Sequence, residues 1–220
     1  MLEKAAIEKY GFESDGRAIY NLERMGKFRP VRNNLAYCRD VRNLLMHNPK
    51  IDGEDAVQPS DKVIAFLDKV LNMVNSSESC MKYAIKMESL YYRSREDNVY
   101  SAMERMNRNH YSHVPILEKG RVAGVFSKSA IFSIIMRGKS GEDLKKLRFS
   151  DIMDYTAIDY KGSETYVFID KNVLVETAED ICEDYYRHRK RIGMFFITDN
   201  GTDSGRLLGA ITPWEILGTK

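Results

Sequence analysis

Apolar residues recur at helical spacing along the first 75 residues of the chain, between residues that start or stop helices. The pattern predicts four helices, with Ser14/Asp15 and Ser60/Asp61 as N-caps of the second and fourth. Pro30 suits the first turn of the third helix, which Asn48-Pro49 ends. Four helices of this length predict an antiparallel bundle. The apolar positions are Ala5 to Tyr10, then Ile19, Leu22 and Met25, then Val31, Leu35, Cys38, Val41, Leu44 and Leu45, and finally Val63, Ile64, Leu67, Val70, Leu71 and Val74.

After residue 80 the pattern changes to short apolar strands that alternate with helices. The order β-α-β-β-α occurs twice, and a polar linker, Lys139–Lys146, separates the two copies. We therefore predict an α+β fold with a helical bundle at 1–79, a first module at 80–140 and a second module at 149–220. The predicted strands are Ser89–Tyr92, Val114–Leu117, Arg121–Phe126, Tyr166–Ile169, Met194–Thr198 and Arg206–Ile211. The predicted helices are Val99 to Met106, Ala130–Met136, Thr177–His188 and Pro213–Leu217.

One segment of the chain, Gly120–Ser127, is repeated later as Gly205–Thr212. Each copy indicates a tight turn, a buried strand, a hydroxyl residue at the strand's end and the first turn of a helix. We call Ser127 with the helix start after it the first corner, and Thr212 with its helix start the second corner. A hydroxyl group and the free N–H groups of a helix start can bind an anion such as a phosphate. The repeat therefore predicts two related modules, with a ligand site at a corner.

Composition and charge make some classes of function less plausible for this protein. The chain has 220 residues, 43% hydrophobic and 30% charged, with a net charge of +2, so no overall field attracts it to nucleic acids or membranes. Residues 80–148 carry 14 basic and 7 acidic residues, whereas 149–220 carry 8 and 13. We interpret this difference as solvated helix faces, with a binding patch as the alternative. Three scattered cysteines indicate a reducing compartment and no metal site. Without a signal peptide or an apolar span, we expect a cytoplasmic protein that does not bind membranes.

The repeated pair resembles tandem cystathionine β-synthase (CBS) domains over about residues 80–220. That resemblance implies that the cleft between the two modules binds an adenosine nucleotide, AMP, ADP or ATP, as a regulatory ligand, with no other cofactor. The segments that carry it are Ser112-His113-Val114-Pro115-Ile116, Gly124-Val125-Phe126-Ser127, Asp151-Ile152-Met153 and Gly209-Ala210-Ile211-Thr212-Pro213-Trp214-Glu215-Ile216.

The same resemblance assigns roles to individual residues. Thr212 takes the position of the hydroxyl that meets the phosphate, and Glu215 stands where an aspartate usually contacts the ribose hydroxyls. In the first copy Ser127 is present, but Ala130 occupies the acidic position, so we expect that site to be degenerate. The adenine pockets would be lined by the backbone around Val114, Gly193 and Met194. The alternative is that Thr212 only caps its helix and Glu215 only favours its first turn.

The predicted bundle carries a second set of candidate residues on its third helix. Arg42 and His47 match the Arg-x-x-x-x-His signature of the higher eukaryotes and prokaryotes nucleotide-binding (HEPN) helical domains, many of which resemble metal-independent ribonucleases. There a histidine would take the 2′-hydroxyl proton while an arginine holds the phosphate. A separation of five residues turns the helix by about 140°, so the two side chains diverge unless the helix end frays or a second protomer supplies one. The alternative is a charge pair for Arg42 and a helix-dipole interaction for His47.

We therefore predict a nucleotide-sensing regulatory protein whose CBS-like pair modulates the helical domain or a partner. The alternative is a ribonuclease of the HEPN type regulated by the same pair, and RNA is a partner only in that alternative. A scaffold without a ligand is a third interpretation. We also expect a homodimer, because the helices after the corners carry more apolar residues than one buried face needs. These residues are Ile131, Phe132, Ile134, Ile135, Met136, Trp214, Ile216 and Leu217.

Overall fold

The structure is a computed structural model that describes residues 1–47, 58–138, 141–158 and 164–218. It contains both helices and strands, so the predicted mixed fold is confirmed. The chain forms two compact units. The helical unit comprises Met1–Glu78 together with Leu174–Asp180, and the sheet unit comprises Ser79–Val173 together with Ile181–Lys220.

The helical unit contains α1 (Leu2–Tyr10), α2 (Ala18–Arg24), α3 (Arg32–His47) and α4 (Asp61–Asn75). Gly11 ends α1 in the left-handed conformation, with φ of 67°. Pro30 lies inside a 3₁₀ turn, Gly26–Val31, so α3 begins after this proline rather than at it. The predicted stop at Asn48-Pro49 lies outside the described residues. The four helices share one core, formed by Ala6, Ala18, Leu22, Phe28, Leu35, Val70 and Val74.

Two carboxylates are buried among the described residues of the helical unit, and each is paired with a cation. Glu23 is 7% exposed and accepts two hydrogen bonds from Arg39 Nη1, at 2.7 and 2.8 Å. Glu176, also 7% exposed, accepts a hydrogen bond from Lys27 Nζ, which donates a second one to Ser77 Oγ at 2.9 Å. Because an unpaired buried carboxylate is strongly destabilising, these contacts fix how the elements of this unit pack.

The sheet unit contains two sheets. The strands β1 (Ile85–Lys86), β4 (Thr165–Asp170), β5 (Ile192–Thr198) and β6 (Leu207–Ile211) form one sheet in the order β1-β6-β5-β4. In it β4 and β5 are parallel, as expected for strands joined through a helix, α8 (Val175–Arg187). A second sheet pairs β2 (His113–Glu118) with β3 (Arg121–Ser127) in antiparallel register. The remaining helices of this unit are α5 (Val99–Asn109), α6 (Lys128–Met136), α7 (Gly141–Lys146) and α9 (Pro213–Leu217), with 3₁₀ turns at Cys80–Lys82 and Phe149–Tyr155.

Two details of the first module differ from the prediction. Ser89–Tyr92 is not a strand, because Ser89 closes a turn on Lys86 and pairing with β2 occurs only at Arg93. The strand at the start of this module, β1, instead pairs with β6 of the second module. The supposed linker Lys139–Lys146 contains helix α7, which buries Leu144 in the first module's core.

The two modules share a core within the sheet unit. Side chains of β2 and β3 pack with side chains of β5 and β6, and the N–H of Leu207 donates to the carbonyl oxygen of Gly120 at 2.9 Å. The buried members of this shared core are Leu117, Val122, Val125, Met194, Phe196, Leu207 and Ala210. The two repeated segments therefore lie against each other in the fold. Within the described ranges, no helix has both the length and the apolar character needed to cross a membrane.

Candidate functional site

The first corner is buried and its hydroxyl group already has partners. Ser127 ends β3 and caps α6, because its Oγ accepts a hydrogen bond from the N–H of Ala130 at 3.2 Å. Ser127 is 5% exposed, and it is also hydrogen-bonded to the hydroxyl of Tyr166. Burial raises the pKa of Tyr166 to about 12, so this hydroxyl is protonated at neutral pH. A ligand at this corner would have to displace contacts that the protein makes with itself.

A buried histidine–carboxylate pair lies beside the first corner. His113 Nε2 is 2.8 Å from Glu164 Oε2, and both side chains are largely buried. Because a carboxylate only accepts hydrogen bonds, Nε2 carries the proton, while Nδ1 lies 2.9 Å from Ser112 Oγ. The hydrogen bond from His113 is the main cause that lowers the pKa of Glu164 below its usual value. The pair is therefore an internal ion pair whenever the imidazole is protonated.

Gly193 of β5 packs closely against the His113–Glu164 pair. A Cβ at position 193 would come within 3.0 Å of His113 Nε2 and 3.1 Å of Tyr166 Cε1, which is tighter than most contacts of a Cβ atom. The ring of Tyr166 also meets the ring of His113 edge to face, with centroids 6.0 Å apart. The structure thus brings the predicted residues Ser127 and Gly193 into one cluster with Tyr166. The predicted residue Val114 is fully buried in the first module's core, so only its backbone can line a site.

The second corner has the same local geometry in a more open setting. Thr212 caps α9, and Thr212 and Glu215 form a capping box. Glu215 Oε2 accepts from the N–H of Thr212 at 2.7 Å and from its hydroxyl at 3.0 Å. Thr212 is half-buried and Glu215 is exposed. In the free protein the two predicted ligand-binding residues are therefore bound to each other.

The second corner has no counterpart of the buried pair. In the first module His113 faces Ser127 across the hairpin, and in the second Phe195 faces Ile211. By this register Met194 takes the position that His113 holds, and its side chain packs in the core that the modules share. Among the described residues, no group of three or more His, Cys, Asp or Glu side chains is arranged to hold a metal ion.

The structure describes the side chain of only one of the two candidate catalytic residues of the helical unit. Arg42 is exposed, with Nη2 3.4 Å from Glu3 Oε2 and Nη1 3.3 Å from Asn43 Oδ1. His47 is the last residue of α3, and its side chain lies outside the described part of the structure. Arg39, one turn before Asn43 on the same helix, is bound to Glu23. The observed partner of Arg42 is thus a carboxylate of α1.

Comparison with known families identifies the first module. Residues 94–137 match the family model of the CBS domain. This segment is a CBS domain. A comparison with curated proteins found no match. The matched segment contains all of α5, β2, β3 and α6, and so includes the first corner.

Several solved structures of CBS proteins are similar to this chain at low identity. A CBS domain-containing protein of unknown function from Bacillus anthracis is 14% identical, with 64% of this chain and 91% of that chain covered and a TM-score of 0.47. CbpB in complex with c-di-AMP is 17% identical, with coverages of 64% and 83% and a TM-score of 0.46. The CBS domain of the bacterial CNNM/CorC family Mg²⁺ transporter in complex with ATP is 14% identical, with coverages of 63% and 84% and a TM-score of 0.44. These similarities say nothing about the ligand of this chain.

Sequence reasoning did not find the polar residues beside the CBS domain's corner. His113 and Glu164 are 51 positions apart, and no local pattern links them. The one available signal was the pair Ser112-His113 directly before a buried strand, since a polar side chain at such a strand end needs a partner. That signal points to His113 but does not identify the partner.

Proposed function

We propose that the protein is a nucleotide-sensing regulatory protein, in which the paired modules bind an adenine nucleotide at the second corner. The observation that carries this proposal is the repeat of one corner in two modules that share a core, with one copy closed and the other open. Thr212 would contact a phosphate, and Glu215 would accept hydrogen bonds from the ribose hydroxyls. Both groups become available when the capping box opens. Ser127, Val114, Gly193 and Met194 would contribute to the lining.

The path from ligand to output would run through helix α8. This helix follows β4 of the second module, but its first residues belong to the helical unit. There Glu176 binds Lys27, and Asp180 Oδ1 accepts a hydrogen bond from the N–H of Gly26 at 3.0 Å. A Cβ at position 26 would come within 2.7 Å of that oxygen, so the backbone approaches as closely as a glycine allows. A shift of α8 on ligand binding would therefore alter contacts inside the helical unit.

Calorimetry and thermal shift with AMP, ADP and ATP test the ligand proposal. We expect an adenine nucleotide to raise the melting temperature, because it binds the native state and not the unfolded chain. Thr212→Ala should weaken binding by about 1–2 kcal/mol, the contribution of one hydrogen bond to a charged group. The matched control is Thr202→Ala, an exposed threonine in the β5–β6 turn, which should bind like the wild type. No heat with any adenine or guanine nucleotide at millimolar concentration would refute the proposal.

We also propose that two copies of the chain pair through the helices that follow the corners. Phe132, Met136 and Trp214 are 65%, 69% and 81% exposed, which is unusual for large apolar side chains. Ile134 and Ile216, by contrast, are buried in their own modules and are not free to form an interface. Charged substitutions that test the dimer must therefore avoid Ile134, because they would unfold the module.

Light scattering coupled to size exclusion tests the dimer. The wild type should elute with twice the chain mass of 25.4 kDa, and Phe132→Asp should restore the monomer, because it places a charge in an apolar contact. Tyr186→Asp, on an exposed aromatic of α8, is the control and should remain dimeric. A monomeric wild type at micromolar concentration would contradict this part of the proposal.

The ribonuclease alternative rests on Arg42, whose described contacts are with Glu3 and Asn43, and on His47. Its assay is RNA cleavage by the purified wild type compared with His47→Ala. RNA cleavage by the wild type that is lost in His47→Ala would assign a catalytic role to the helical unit. If the wild type does not cleave RNA, the helical unit remains the regulated output.

A further inference from the structure

Two arginines converge on one tyrosine ring in the first module. The guanidinium carbon of Arg93 lies 4.8 Å from the centroid of the Tyr91 ring, and that of Arg105 lies 4.4 Å from the same centroid. The ring of Tyr111 is next to them, 5.7 Å from the Tyr91 ring and partly exposed. We call these four residues the Tyr91 cluster. Cation–π contacts of this kind hold guanidinium groups in place without neutralising their charge.

The cluster is built on fixed elements. The N–H of Arg93 donates to the carbonyl oxygen of Pro115 at 2.9 Å, and Arg93 accepts from the N–H of Leu117 at 2.7 Å, so its backbone is attached to β2. Tyr91 packs against the core of the first module, and Arg105 projects from α5. The two positive groups are therefore positioned by a strand, a helix and a buried ring.

The helical unit contains a similar arrangement, in which one of the two arginines is paired with a carboxylate. Arg24 and Arg39 lie 5.7 and 5.8 Å from the centroid of the Tyr20 ring. There Arg39 is bound to the buried carboxylate of Glu23. The protein itself thus supplies an anion to one of these two cations.

The Tyr91 cluster has no such anion. Within the described ranges, no carboxylate forms a salt bridge with Arg93 or Arg105. The charge of Asp97 acts on Tyr91, but this carboxylate accepts a hydrogen bond from the N–H of Ser94 at 2.8 Å and forms none of the described salt bridges with Arg93 or Arg105, and Glu118 is paired with Arg95. Arg93 Nε and the Tyr91 hydroxyl are buried without a hydrogen-bond partner. Two uncompensated guanidinium groups at one ring repel each other, and an anion between them would remove this repulsion.

We propose that the Tyr91 cluster binds the phosphate group of a phosphorylated ligand. The guanidinium groups of Arg93 and Arg105 can each present a pair of N–H donors to phosphate oxygens. The exposed face of Tyr111 lies beside them, where a flat group attached to the phosphate can stack. The cluster uses none of the residues of the two corners. It is therefore a second ligand site, independent of the proposed nucleotide site.

Isothermal titration with inorganic pyrophosphate on the full chain tests this proposal. Wild-type protein should bind, and Arg105→Ala should weaken binding about tenfold or more, because it removes charge-assisted hydrogen bonds. Arg105→Lys should recover part of the affinity through its charge. The matched control is Arg108→Ala, an exposed arginine of the same helix that contacts no ring of the cluster, and it should stay within about twofold of the wild type.

Three results would overturn the proposal. One is a wild type that gives no heat with millimolar pyrophosphate. Another is an equal loss in Arg105→Ala and Arg108→Ala, which would indicate a diffuse positive surface. The third is a loss of pyrophosphate binding in Thr212→Ala with none in Arg105→Ala, which would assign the anion to the second corner.

A parallel titration with a single-stranded oligonucleotide identifies the source of the phosphate, because tighter binding that also depends on Arg105 indicates a nucleic acid backbone rather than a small molecule.

Discussion

The first corner is buried, and its serine hydroxyl contacts a backbone N–H and a tyrosine, with a histidine–glutamate pair beside it. The second corner repeats the same strand, cap and helix, but its threonine is half-buried and its glutamate is exposed. The local sequence therefore sets the backbone, whereas the neighbouring side chains set whether the polar groups are available. The polar groups of the corner are buried in one module and partly exposed to solvent in the other.

The difference originates at two positions. Where the first module has Ala130 after its corner, the second has Glu215, whose carboxylate closes the capping box. Where the first hairpin carries His113, the second carries Met194, which is apolar and packs in the shared core. The first corner consequently adds long-range contacts to its local cap, whereas Thr212 and Glu215 of the second corner bind to each other across three residues.

Among the variants that test this comparison, Glu164→Gln at the first corner has the largest expected effect. It keeps the shape of the side chain but removes its charge, so we expect a loss of about 2 kcal/mol in the free energy of unfolding. Because the pKa of Glu164 is lowered in the folded state, its stabilising effect is present above the unfolded value of about 4.5. It is lost as pH falls through the folded value. Urea denaturation across this range should therefore show wild type and variant converging at acid pH.

The control for that experiment is Glu118→Gln, which changes an exposed pair with Arg95. Exposed pairs contribute little, so we expect a change of about 0.5 kcal/mol or less. A Glu164→Gln loss as small as this, or a difference that does not depend on pH, would show that the buried pair does not stabilise the first corner.

A smaller effect separates the two hydroxyl groups. Ser127→Ala should cost about 1–2 kcal/mol in the free energy of unfolding, because it leaves the N–H of Ala130 and the Tyr166 hydroxyl without a partner. Thr212→Ala should cost about 0.5–1 kcal/mol, since water can reach the exposed cap. Thermal and urea denaturation of both variants measures the difference. Equal losses would mean that the two corners are equally solvated, contrary to the comparison.

Elements with strong local signals could be predicted from the sequence. The helix predicted to start at Val99 does start there, where Asn98 caps it by accepting from the N–H of Ser101 at 2.9 Å. The second module has the predicted order of strands and helices, with β4, β5 and β6 close to their expected bounds. Helix α7 was missed although Glu142 and Asp143 at its start and two lysines at its end favour the helix dipole. Its single buried leucine gave too short an apolar pattern.

Contacts between distant segments could not be predicted in this way. β1 is only two residues long and pairs with β6, which is more than 120 positions later in the chain. The partners of Glu23, His113 and Lys27 are brought to them by tertiary packing, which a local sequence pattern does not describe. The candidate corners were therefore located correctly as repeats, whereas the groups that close one of them were visible only in the fold.

The division of helix α8 has a consequence for how the protein is made. The helical unit includes Leu174–Asp180, which the ribosome delivers long after Glu78. Lys27 can form its hydrogen bond with Glu176, and the N–H of Gly26 its hydrogen bond with Asp180, only after those two carboxylates have been synthesised. The amino-terminal helices thus cannot complete their packing while the first module is being synthesised. They become native only after the chain has emerged as far as Asp180, so that assembly of this unit is linked to synthesis of the chain that follows it.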